Sequence, residues 1–385
     1  MLLALFDGMP MTTTEPVMVA LSGGVDSSLT AWLLKQQGRP LATMFMKNWE
    51  EDDDSGTCPA EQDAEDARRV AETLGIPFHA RNFAVEYWDG VFEHFLAELR
   101  RGRTPNPDVL CNREVKFRTF VEHAADLGYP RIATGHYARV VDVAGRRLLL
   151  KGRDPAKDQS YFLHALSPAQ LAVAEFPIGD LQKDEVRRLA ARAGLHTSGK
   201  RDSTGICFVG ERNFRPFLAR FLAPAPGPIE DTTGRVLGTH EGLHHHTLGQ
   251  RGGLGIGGLR GGTGEPWYVV AKDQARQALI VSQGDHPGLY ARRCRTEVAL
   301  WTQGAPPSAM FRSGVKTRYR QPDQPAEVCV CEDGTLEVRF AEAQRAVTPG
   351  QSLVLYDGEV CLGGAVIAAS DALHGGLAMR PPASG

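Results

Sequence analysis

Short apolar runs alternate with amphipathic segments over residues 16–140. The apolar runs predict strands, and segments with apolar residues three or four positions apart predict helices, several of them closed by a glycine. Strands are predicted at 17–21, 41–46, 77–83 and 131–134, and helices at 28–37, 61–74, 87–101, 112–127 and 183–193. Because strands that alternate with helices form crossover units, we predict an α/β fold with a parallel sheet covered by helices on both faces.

The pattern changes after residue 148. Residues 223–234 are rich in proline and glycine, which indicates a boundary between domains, and the chain from there to 283 is dense in glycine. From about 285, short β-like runs alternate with turns, which predicts a small antiparallel β-barrel at the C-terminus. The predicted ranges are 1–15 for a disordered extension, 16–212 for the α/β domain, 213–283 for a small central domain and 284–385 for the barrel.

Composition excludes several classes of protein. The net charge of −3 does not indicate a polycation, although a local basic face is compatible with it. Seven scattered cysteines in 385 residues do not resemble a secreted disulfide framework and favour a reducing compartment. No apolar run approaches the roughly 18 residues of a membrane span, and the N-terminus lacks the features of a signal peptide. We expect a cytoplasmic protein with no membrane partner.

The loop "SGGVDSS" at residues 22–28 lies between a predicted strand and a predicted helix. Backbone N–H groups and the helix dipole favour an anion at this position, the glycines let phosphate approach closely, and the serine hydroxyls add donors. A Walker A loop would also carry a lysine and a following Ser/Thr, and neither is present at that spacing. The loop instead resembles that of the PP-loop ATPases, which cleave ATP between the α- and β-phosphates.

Three other stretches carry weaker signals. "GLHTSGKR" at 194–201 nearly matches Walker A, but Arg201 replaces the hydroxyl residue and a helix precedes it, so we interpret the match as chance. "GLGIGG" at 253–258 lacks the strand and helix of a dinucleotide site and predicts a turn-rich loop. His244–His246 has no acidic or cysteine partner at metal-ligand spacing, so no metal site is predicted.

Two cysteines lie in settings that favour reactivity. Cys111 follows a loop with two prolines at the start of a predicted helix, where the helix dipole and nearby arginines (Arg101, Arg103 and Arg113) would favour the thiolate. Asp108 precedes it by three residues and is a candidate base. Cys207 lies among small and hydroxyl residues in "DSTGICF". A buried, unreactive thiol is the usual alternative for each cysteine, but together with a PP-loop they indicate sulfur chemistry.

Over residues 16–370 the chain resembles the tRNA-specific 2-thiouridylases. The matching blocks, in family order, are "SGGVDSS", "TPNPDVLCNREVKF", "ATGHYAR", "KDQSYFL", "DSTGICF", "HTLGQRGGLGIGG", "WYVVAKD", "TRYRQP" and "VTPGQSLVLYDGEVCLGGAVI". The resemblance implies ATP binding, with Mg²⁺, by Ala20, Leu21, Ser22, Gly23, Gly24, Val25, Asp26, Ser27, Met46 and Gly135. It implies contact with the target base by Asn106, Pro107 and Asp108, and with the rest of the tRNA by His136, Lys157, Asp158, Gln159, Arg318, Tyr319 and Gln351.

The resemblance also implies a reaction, the 2-thiolation of the wobble uridine U34 in tRNAs for Lys, Glu and Gln. AMP is attached to the C2 oxygen of the flipped base, and Cys207, carrying a persulfide from a cysteine desulfurase or relay protein, attacks C2. Cys111 then frees the sulfur by forming a disulfide with Cys207, or hydrogen sulfide is released and attacks. An iron–sulfur cluster on Cys111, Cys207 and Asp108 is an alternative, because the same thiolates serve both purposes.

Two other functions compete with this interpretation. A PP-loop ligase or amidotransferase would adenylate a small carboxylate or carbonyl without tRNA, and would leave Cys111 and Cys207 without a task. A non-catalytic RNA-binding protein would carry "SGGVDSS" only as a remnant. The intact loop and the two cysteines favour the tRNA-uridine 2-sulfurtransferase over both.

Overall fold

The computed structural model describes residues 15–50, 59–202, 214–257 and 264–373. Strands of the N-terminal part are β1 (Val17–Ala20), β2 (Leu41–Lys47), β3 (Phe78–Asn82), β4 (Arg131–Ala133), β5 (Ala138–Val143), β6 (Arg146–Lys151) and β7 (Ala174–Glu175). Helices are α1 (Val25–Gln36), α2 (Pro59–Leu74), α3 (Ala84–Tyr87), α4 (Glu93–Arg100), α5 (Pro107–Leu110), α6 (Phe120–Asp126), α7 (Ser160–Leu163), α8 (Pro168–Val173), α9 (Lys183–Arg192) and α10 (Phe214–Ala219). Within these ranges no helix is both long enough and apolar enough to cross a membrane.

The predicted parallel sheet is confirmed, with the strand order β3–β2–β1–β4–β7. Val17 of β1 stands opposite Leu41 of β2 on one side and Arg131 of β4 on the other, both in parallel register. The strand order reverses at β1, and ligands of such sheets bind in the crevice beyond the carboxyl ends of the strands at this point. The loop at residues 22–28 starts there.

The apolar sequence of β1 follows from its position at the centre of the sheet. Val17 and Val19 belong to the hydrophobic core on one face, and Met18 and Ala20 belong to the core on the other. Because alternate side chains of a strand point to opposite faces, a strand covered by helices on both sides must be apolar throughout.

The predicted helices are present, with differences in their bounds and course: the helix predicted at 28–37 is α1, which begins at Val25. The predicted helix at 87–101 contains a π-helical turn, Trp88–Phe92, before α4. The helix predicted at 112–127 begins earlier, at Pro107, and runs through the π-helix Cys111–Thr119 into α6. The prediction missed the hairpin β5–β6, whose turn end is exposed and includes Val141 and Val143. Its Leu150 pairs with Val360 of the C-terminal barrel, a partner that no local pattern indicates.

The remaining chain forms two β structures. The central sheet contains β8 (Gly227–Asp231), β9 (Val236–His240), β10 (Trp267–Asp273) and β11 (Ala278–Gln283) in the order β10–β11–β8–β9. The C-terminal strands are β12 (Tyr290–Val298), β13 (Leu300–Trp301), β14 (Met310–Lys316), β15 (Gln324–Val330), β16 (Thr335–Arg345), β17 (Ser352–Asp357) and β18 (Val360–Ser370). The order β12–β16–β15–β14–β17–β18 closes where β18 pairs with β12, which confirms the predicted antiparallel barrel.

Candidate active site

Residues 22–28, which comprise the loop after β1 and the first turn of α1, form a compact cradle. The Ser22 N–H donates to Ser27 Oγ at 3.2 Å, and the hydroxyls of Ser27 and Ser28 donate to the Gly24 carbonyl at 3.1 and 2.7 Å. The N-cap residue of α1 is Gly24, which has no side chain to accept a hydrogen bond from the first turn. The first N–H groups of the helix therefore lack the usual acceptor from an N-cap side chain, and this arrangement favours an anion.

Two glycines of the predicted nucleotide site are required by close approach of backbone to backbone. Gly23 has φ +76°, and a Cβ there would overlap the carbonyl of Asp63. A Cβ on Gly135, in the loop after β4, would lie 2.7 Å from Ser27 N and 2.8 Å from the Asp26 carbonyl carbon. The β4 loop thus packs directly against the cradle, and both positions exclude any larger residue.

The carboxylate of Asp26 is held by residues far away in the sequence. Lys183 Nζ donates to both of its oxygens at 2.8 Å, and the Tyr137 hydroxyl donates to one of them at 2.7 Å. Burial and the neighbouring Asp26 raise the pKa of the Tyr137 hydroxyl far above its usual range, so it stays a donor. Lys183 is buried, and the sequence does not predict its position at the cradle, since nothing in the pattern of α9 distinguishes it from a solvated helix residue.

A second lysine reaches the cradle from the near-Walker stretch. Residues 194–201 contain the 3₁₀ turn His196–Gly199 and no phosphate loop. Lys200 Nζ nevertheless donates to the Gly23 carbonyl at 3.0 Å and to Asp63 and Asp66 at 2.7 and 2.6 Å. The loop lacks a lysine in its own sequence, but the fold brings two amino groups to it.

The carboxylate of Asp202 forms ion pairs with three cationic side chains. Lys157, Lys183 and Arg187 approach its carboxylate within 2.6–2.8 Å. Burial opposes ionisation, but hydrogen bonds from Lys157 and Lys183 lower the pKa of Asp202 to about 2. Lys183 therefore bridges Asp26 and Asp202. Cys207, the second predicted catalytic cysteine, lies outside the described residues.

The helix that carries Asp108 and Cys111 starts with a well-defined cap. Asn106 Oδ1 accepts from the Asp108 N–H at 3.1 Å, and Pro107 occupies the first helical position, where its missing N–H costs nothing. Cys111 is the first residue of the π-helix Cys111–Thr119, and π-helical turns are frequent at functional sites. The structure therefore places two predicted catalytic residues on one rigid, capped turn.

The surroundings of Cys111 differ from the expected exposed, arginine-rich setting. Its side chain is fully buried in the core. Arg101 and Arg103 bind the carboxylate of Glu98 at 2.8 and 3.0 Å, and Arg113 binds the adjacent Glu114 at 2.5 Å. All three arginines are therefore paired with carboxylates in the structure.

Three of the four apolar residues of the predicted nucleotide site, Ala20, Leu21 and Met46, lie at or next to the ends of the central strands, and Val25 is the first residue of α1. Leu21 extends β1 by one hydrogen bond, from its N–H to the Met44 carbonyl at 2.9 Å. All four side chains are buried. The chain passes directly from Ala20 and Leu21 into residues 22–28.

Four of the predicted tRNA-contact residues lie on or near the N-terminal domain. His136 is buried, and its Nδ1 lies 2.7 Å from Thr134 Oγ1; burial, with a smaller effect of Lys116, lowers its pKa well below the usual range. Asp158 is buried and accepts the Ser160 N–H at 3.1 Å. Gln159 accepts the Tyr137 N–H at 2.9 Å, and Lys157 is the ion-pair partner of Asp202.

The other three lie on the barrel, at its contacts with the rest of the chain. Arg318 donates to the carbonyls of Leu248 and Ala346 at 2.8 and 2.9 Å. Tyr319 packs its ring 4.5 Å from that of Phe162, and Gln351 Nε2 donates to the Thr104 carbonyl at 2.7 Å. The structure thus gives these residues intramolecular partners, and their contact with tRNA stays a prediction.

The four histidines of the central domain, His240 and His244–His246, form two pairs of neighbouring rings. The rings of His244 and His245 lie 4.1 Å apart, and those of His240 and His246 lie 5.8 Å apart. Burial lowers the pKa of His244 to about 4 and that of His246 to about 3. In the described part of the chain, no group of three or more His, Cys, Asp or Glu side chains is arranged to hold a metal ion.

Comparison with known proteins covers almost the whole chain. Residues 15–211 match the family described as the tRNA methyl transferase HUP domain, residues 215–283 its PRC-barrel domain, and residues 291–367 the aminomethyltransferase beta-barrel domain. A "tRNA-specific 2-thiouridylase MnmA" of Xanthomonas campestris pv. campestris (strain B100) is 59% identical over 361 residues, 94% of this chain and 95% of the relative. The relative of the same description from Stenotrophomonas maltophilia (strain R551-3) is 59% identical over 362 residues, with the same coverage.

Proposed function

Because the chain belongs to the tRNA-specific 2-thiouridylase family, a family of tRNA sulfurtransferases, we propose that it replaces the C2 oxygen of the wobble uridine U34 by sulfur at the expense of ATP. The observation that carries the proposal is the cradle at residues 22–28. Gly23 is closed in by the backbone of Asp63, the N-cap residue Gly24 has no side chain to cap α1, and the carboxylate of Asp26 is held by Lys183. Adenylation needs such a site for the departing pyrophosphate.

The cradle suits the phosphates of ATP together with Mg²⁺. Backbone N–H groups at the start of α1 and the amino group of Lys183 offer donors and positive charge to phosphate oxygens. Mg²⁺ keeps several waters and binds through phosphates and one or two carboxylates, and Asp26, which is partly exposed, is the carboxylate of this loop. Ala20, Leu21, Met46 and Gly135 would line the adenine side.

The first chemical step joins AMP to the target base. The C2 oxygen of the flipped uridine attacks the α-phosphorus, the bond to the β-phosphate oxygen breaks, and pyrophosphate leaves. Asn106, Pro107 and Asp108 would contact the base, since their backbone is fixed by the Asn106 cap. Asp108 would move the proton that the uridine N3 must lose, as the acid/base of the reaction.

The second step transfers sulfur. The terminal sulfur of a Cys207 persulfide forms a bond to C2, and the C2–oxygen bond breaks with AMP as the leaving group. The Cys111 thiolate then attacks Cys207 Sγ and forms a Cys111–Cys207 disulfide. The bond between Cys207 Sγ and the terminal persulfide sulfur breaks, and this terminal sulfur stays on C2 of the base. An external thiol reductant must restore both cysteines before the next turnover. Release of hydrogen sulfide, which then attacks C2, is the alternative order of the same events.

The remaining predicted residues would bind the tRNA outside the target base. Lys157, Asp158 and Gln159 follow the hairpin β5–β6, and Arg318 and Tyr319 follow β14 on the barrel, so both domains would contribute to one surface. His136 and Gln351 complete the predicted set. We expect tRNAs for Lys, Glu and Gln as substrates, a cysteine desulfurase or relay protein as sulfur donor, and a cytoplasmic location.

Two measurements test this function. Pyrophosphate release from ATP should require tRNA, and mass spectrometry of the product should find 2-thiouridine at the wobble position when a persulfide donor is supplied. A Cys207→Ser variant should keep tRNA-dependent pyrophosphate release and lose thiolation. Rapid pyrophosphate release without tRNA would contradict the proposal and favour a ligase or amidotransferase. Iron and sulfide analysis after anaerobic purification decides between the persulfide and an iron–sulfur cluster.

A further inference from the structure

Residues 102–104 lie where the three parts of the chain meet. They follow α4 of the N-terminal domain and directly precede the segment with Asn106, Asp108 and Cys111. A segment between a helix end and a capped turn needs few tertiary contacts of its own. Here, however, both other domains contribute polar groups to it.

The barrel holds the segment through its backbone at Thr104. The Thr104 N–H donates to the Pro349 carbonyl at 3.0 Å, and the Thr104 carbonyl accepts from Gln351 Nε2 at 2.7 Å. Between these two partners Gly350 has φ +94°, and a Cβ there would lie 2.8 Å from Thr104 N. The two backbones are therefore in direct contact, and Thr104 pairs with the barrel on both its donor and its acceptor.

The central domain holds the same segment from β10. Lys272 Nζ donates to the Gly102 carbonyl at 3.1 Å and lies 3.4 Å from Thr104 Oγ1. Gly102 has φ +75°, and a Cβ there would overlap the side chain of Gln274. Thr247 places its hydroxyl 3.5 Å from that of Thr104. One amino group thus joins both ends of the segment.

Lys272 is a costly residue for this position. In the described part of the chain no carboxylate lies within ion-pair distance of its amino group. Burial lowers its pKa to about 8. A partly buried cation without an opposite charge destabilises a fold, and an apolar side chain would bridge the two domains at lower cost. An apolar side chain, however, could not hydrogen-bond to the Gly102 carbonyl and the Thr104 hydroxyl, as the Lys272 amino group does.

The segment has a short and stiff connection to the catalytic turn. Only Pro105 separates Thr104 from Asn106, and Pro107 follows the cap. Proline restricts its own φ and the conformation of the residue before it, so a displacement of Thr104 is passed to Asn106 with little loss. The Asn106 cap fixes the start of the helix that carries Asp108 and Cys111.

We propose that Lys272 is a positioning residue of the thiolation reaction, which holds residues 102–104 against the central domain and barrel and thereby places Asp108 and Cys111. The proposal rests on the proposed function, since Asp108 and Cys111 have their roles from it. Gln351, a predicted tRNA contact, belongs to the same junction.

The test uses the full chain with tRNA, ATP and a persulfide donor. Lys272→Met keeps the length of the side chain and removes both hydrogen bonds. We expect kcat for 2-thiouridine formation to fall about tenfold or more, as misplacement of reacting groups by about 1 Å produces, with the KM values for tRNA and ATP nearly unchanged. Lys272→Arg, which retains donors, should recover part of the rate.

A second pair of variants removes the acceptor in place of the donor. Thr104→Val deletes the hydroxyl and should lower kcat in the same way, whereas Thr104→Ser retains it and should not. In the double variant Lys272→Met/Thr104→Val the two losses should be less than multiplicative, because both substitutions break one interaction. Arg235→Met, which removes a cation from an exposed turn of the central domain, is the matched control and should have no effect.

Three results would overturn the proposal. An increase of the tRNA KM at constant kcat would make Lys272 a tRNA contact. Unchanged kcat in Lys272→Met would exclude a positioning role. A loss of kcat that is fully explained by unfolded protein would exclude it as well. The unfolded fraction is measured by thermal melting at the assay temperature and by ATP-binding stoichiometry. Failure of the proposed function itself is distinct, since the unmodified protein would then form no 2-thiouridine.

Discussion

Lys183 Nζ lies 2.8 Å from both carboxylate oxygens of Asp26, although 157 positions separate the two residues. The same amino group is 2.7 Å from Asp202. A Walker A loop carries its lysine within the loop, and here α9 supplies it from across the fold. The Lys183 amino group therefore pairs with two carboxylates. Asp26 belongs to the nucleotide cradle, and Asp202 precedes Cys207 by five positions in the sequence.

Replacement of Lys183 should disable adenylation. Lys183→Met leaves Asp26 and Asp202 without their shared cation and removes a positive charge from the phosphate site. We expect tRNA-dependent pyrophosphate release to fall about 100-fold, the scale of losing one charge-stabilising donor. Lys183→Arg should retain more of the rate. Arg188→Met on the exposed side of the same helix is the control, and an equal loss there would point to damage of α9 rather than to the cation.

The cradle should not accept a methyl group at residue 135. In Gly135→Ala the new Cβ would lie 2.7 Å from Ser27 N, so either the β4 loop or the cradle must move. We expect weaker ATP binding by about tenfold or more, measured by calorimetry, since phosphate donors placed by the cradle lose their geometry. Gly199→Ala, whose Cβ meets nothing within 4 Å, should bind ATP normally. Equal affinities of the two variants would contradict the tight packing.

The local sequence pattern is sufficient to predict the cradle at residues 22–28, but not the lysines that surround it. Residues 22–28 depend on a strand, two glycines and a helix start that are adjacent in sequence, so the sequence predicts them directly. Lys183 and Lys200 reach the cradle only when α9 and the turn after it fold back on α1, and their own surroundings in the sequence are those of ordinary surface lysines. Lys200 even lies in a stretch that was interpreted as a chance match.

The same distinction explains the differences in the fold. The barrel strands alternate polar and apolar residues and were predicted from that pattern. The sequence pattern did not predict the hairpin β5–β6, and its pairing of Leu150 with Val360, 210 positions away (360 − 150), cannot be seen from local sequence. Burial of Cys111 is also a tertiary result, because the core that covers it includes Tyr356 and Cys361 of the barrel.

Removal of the Cys111 thiol should separate the two chemical steps. Cys111→Ala deletes the sulfur without placing a new polar atom in the core, so little stability should be lost. We expect tRNA-dependent pyrophosphate release to continue and 2-thiouridine formation under multiple turnover to stop. Cys329→Ser on the barrel, where the thiol is partly exposed, should change neither. If Cys111→Ala thiolates tRNA at the normal rate with a persulfide donor, another thiol must release the sulfur from Cys207.

His164 should make the fold sensitive to mild acid. It is buried, with Nδ1 2.8 Å from the Tyr161 carbonyl, and burial lowers its pKa to about 4. In the unfolded chain this histidine is protonated near pH 6.5. Between pH 6.5 and 4 the unfolded state therefore binds more protons than the folded state. As the pH is lowered through this range, the free energy of unfolding falls by roughly 3 kcal/mol for this residue. Thermal melts should therefore show a lower midpoint at pH 4.5 than at pH 7. In His164→Asn, whose amide still reaches the carbonyl but does not titrate, the midpoint should depend less on pH. An unchanged pH dependence in this variant would assign the acid sensitivity to other buried histidines, such as His136 and His246.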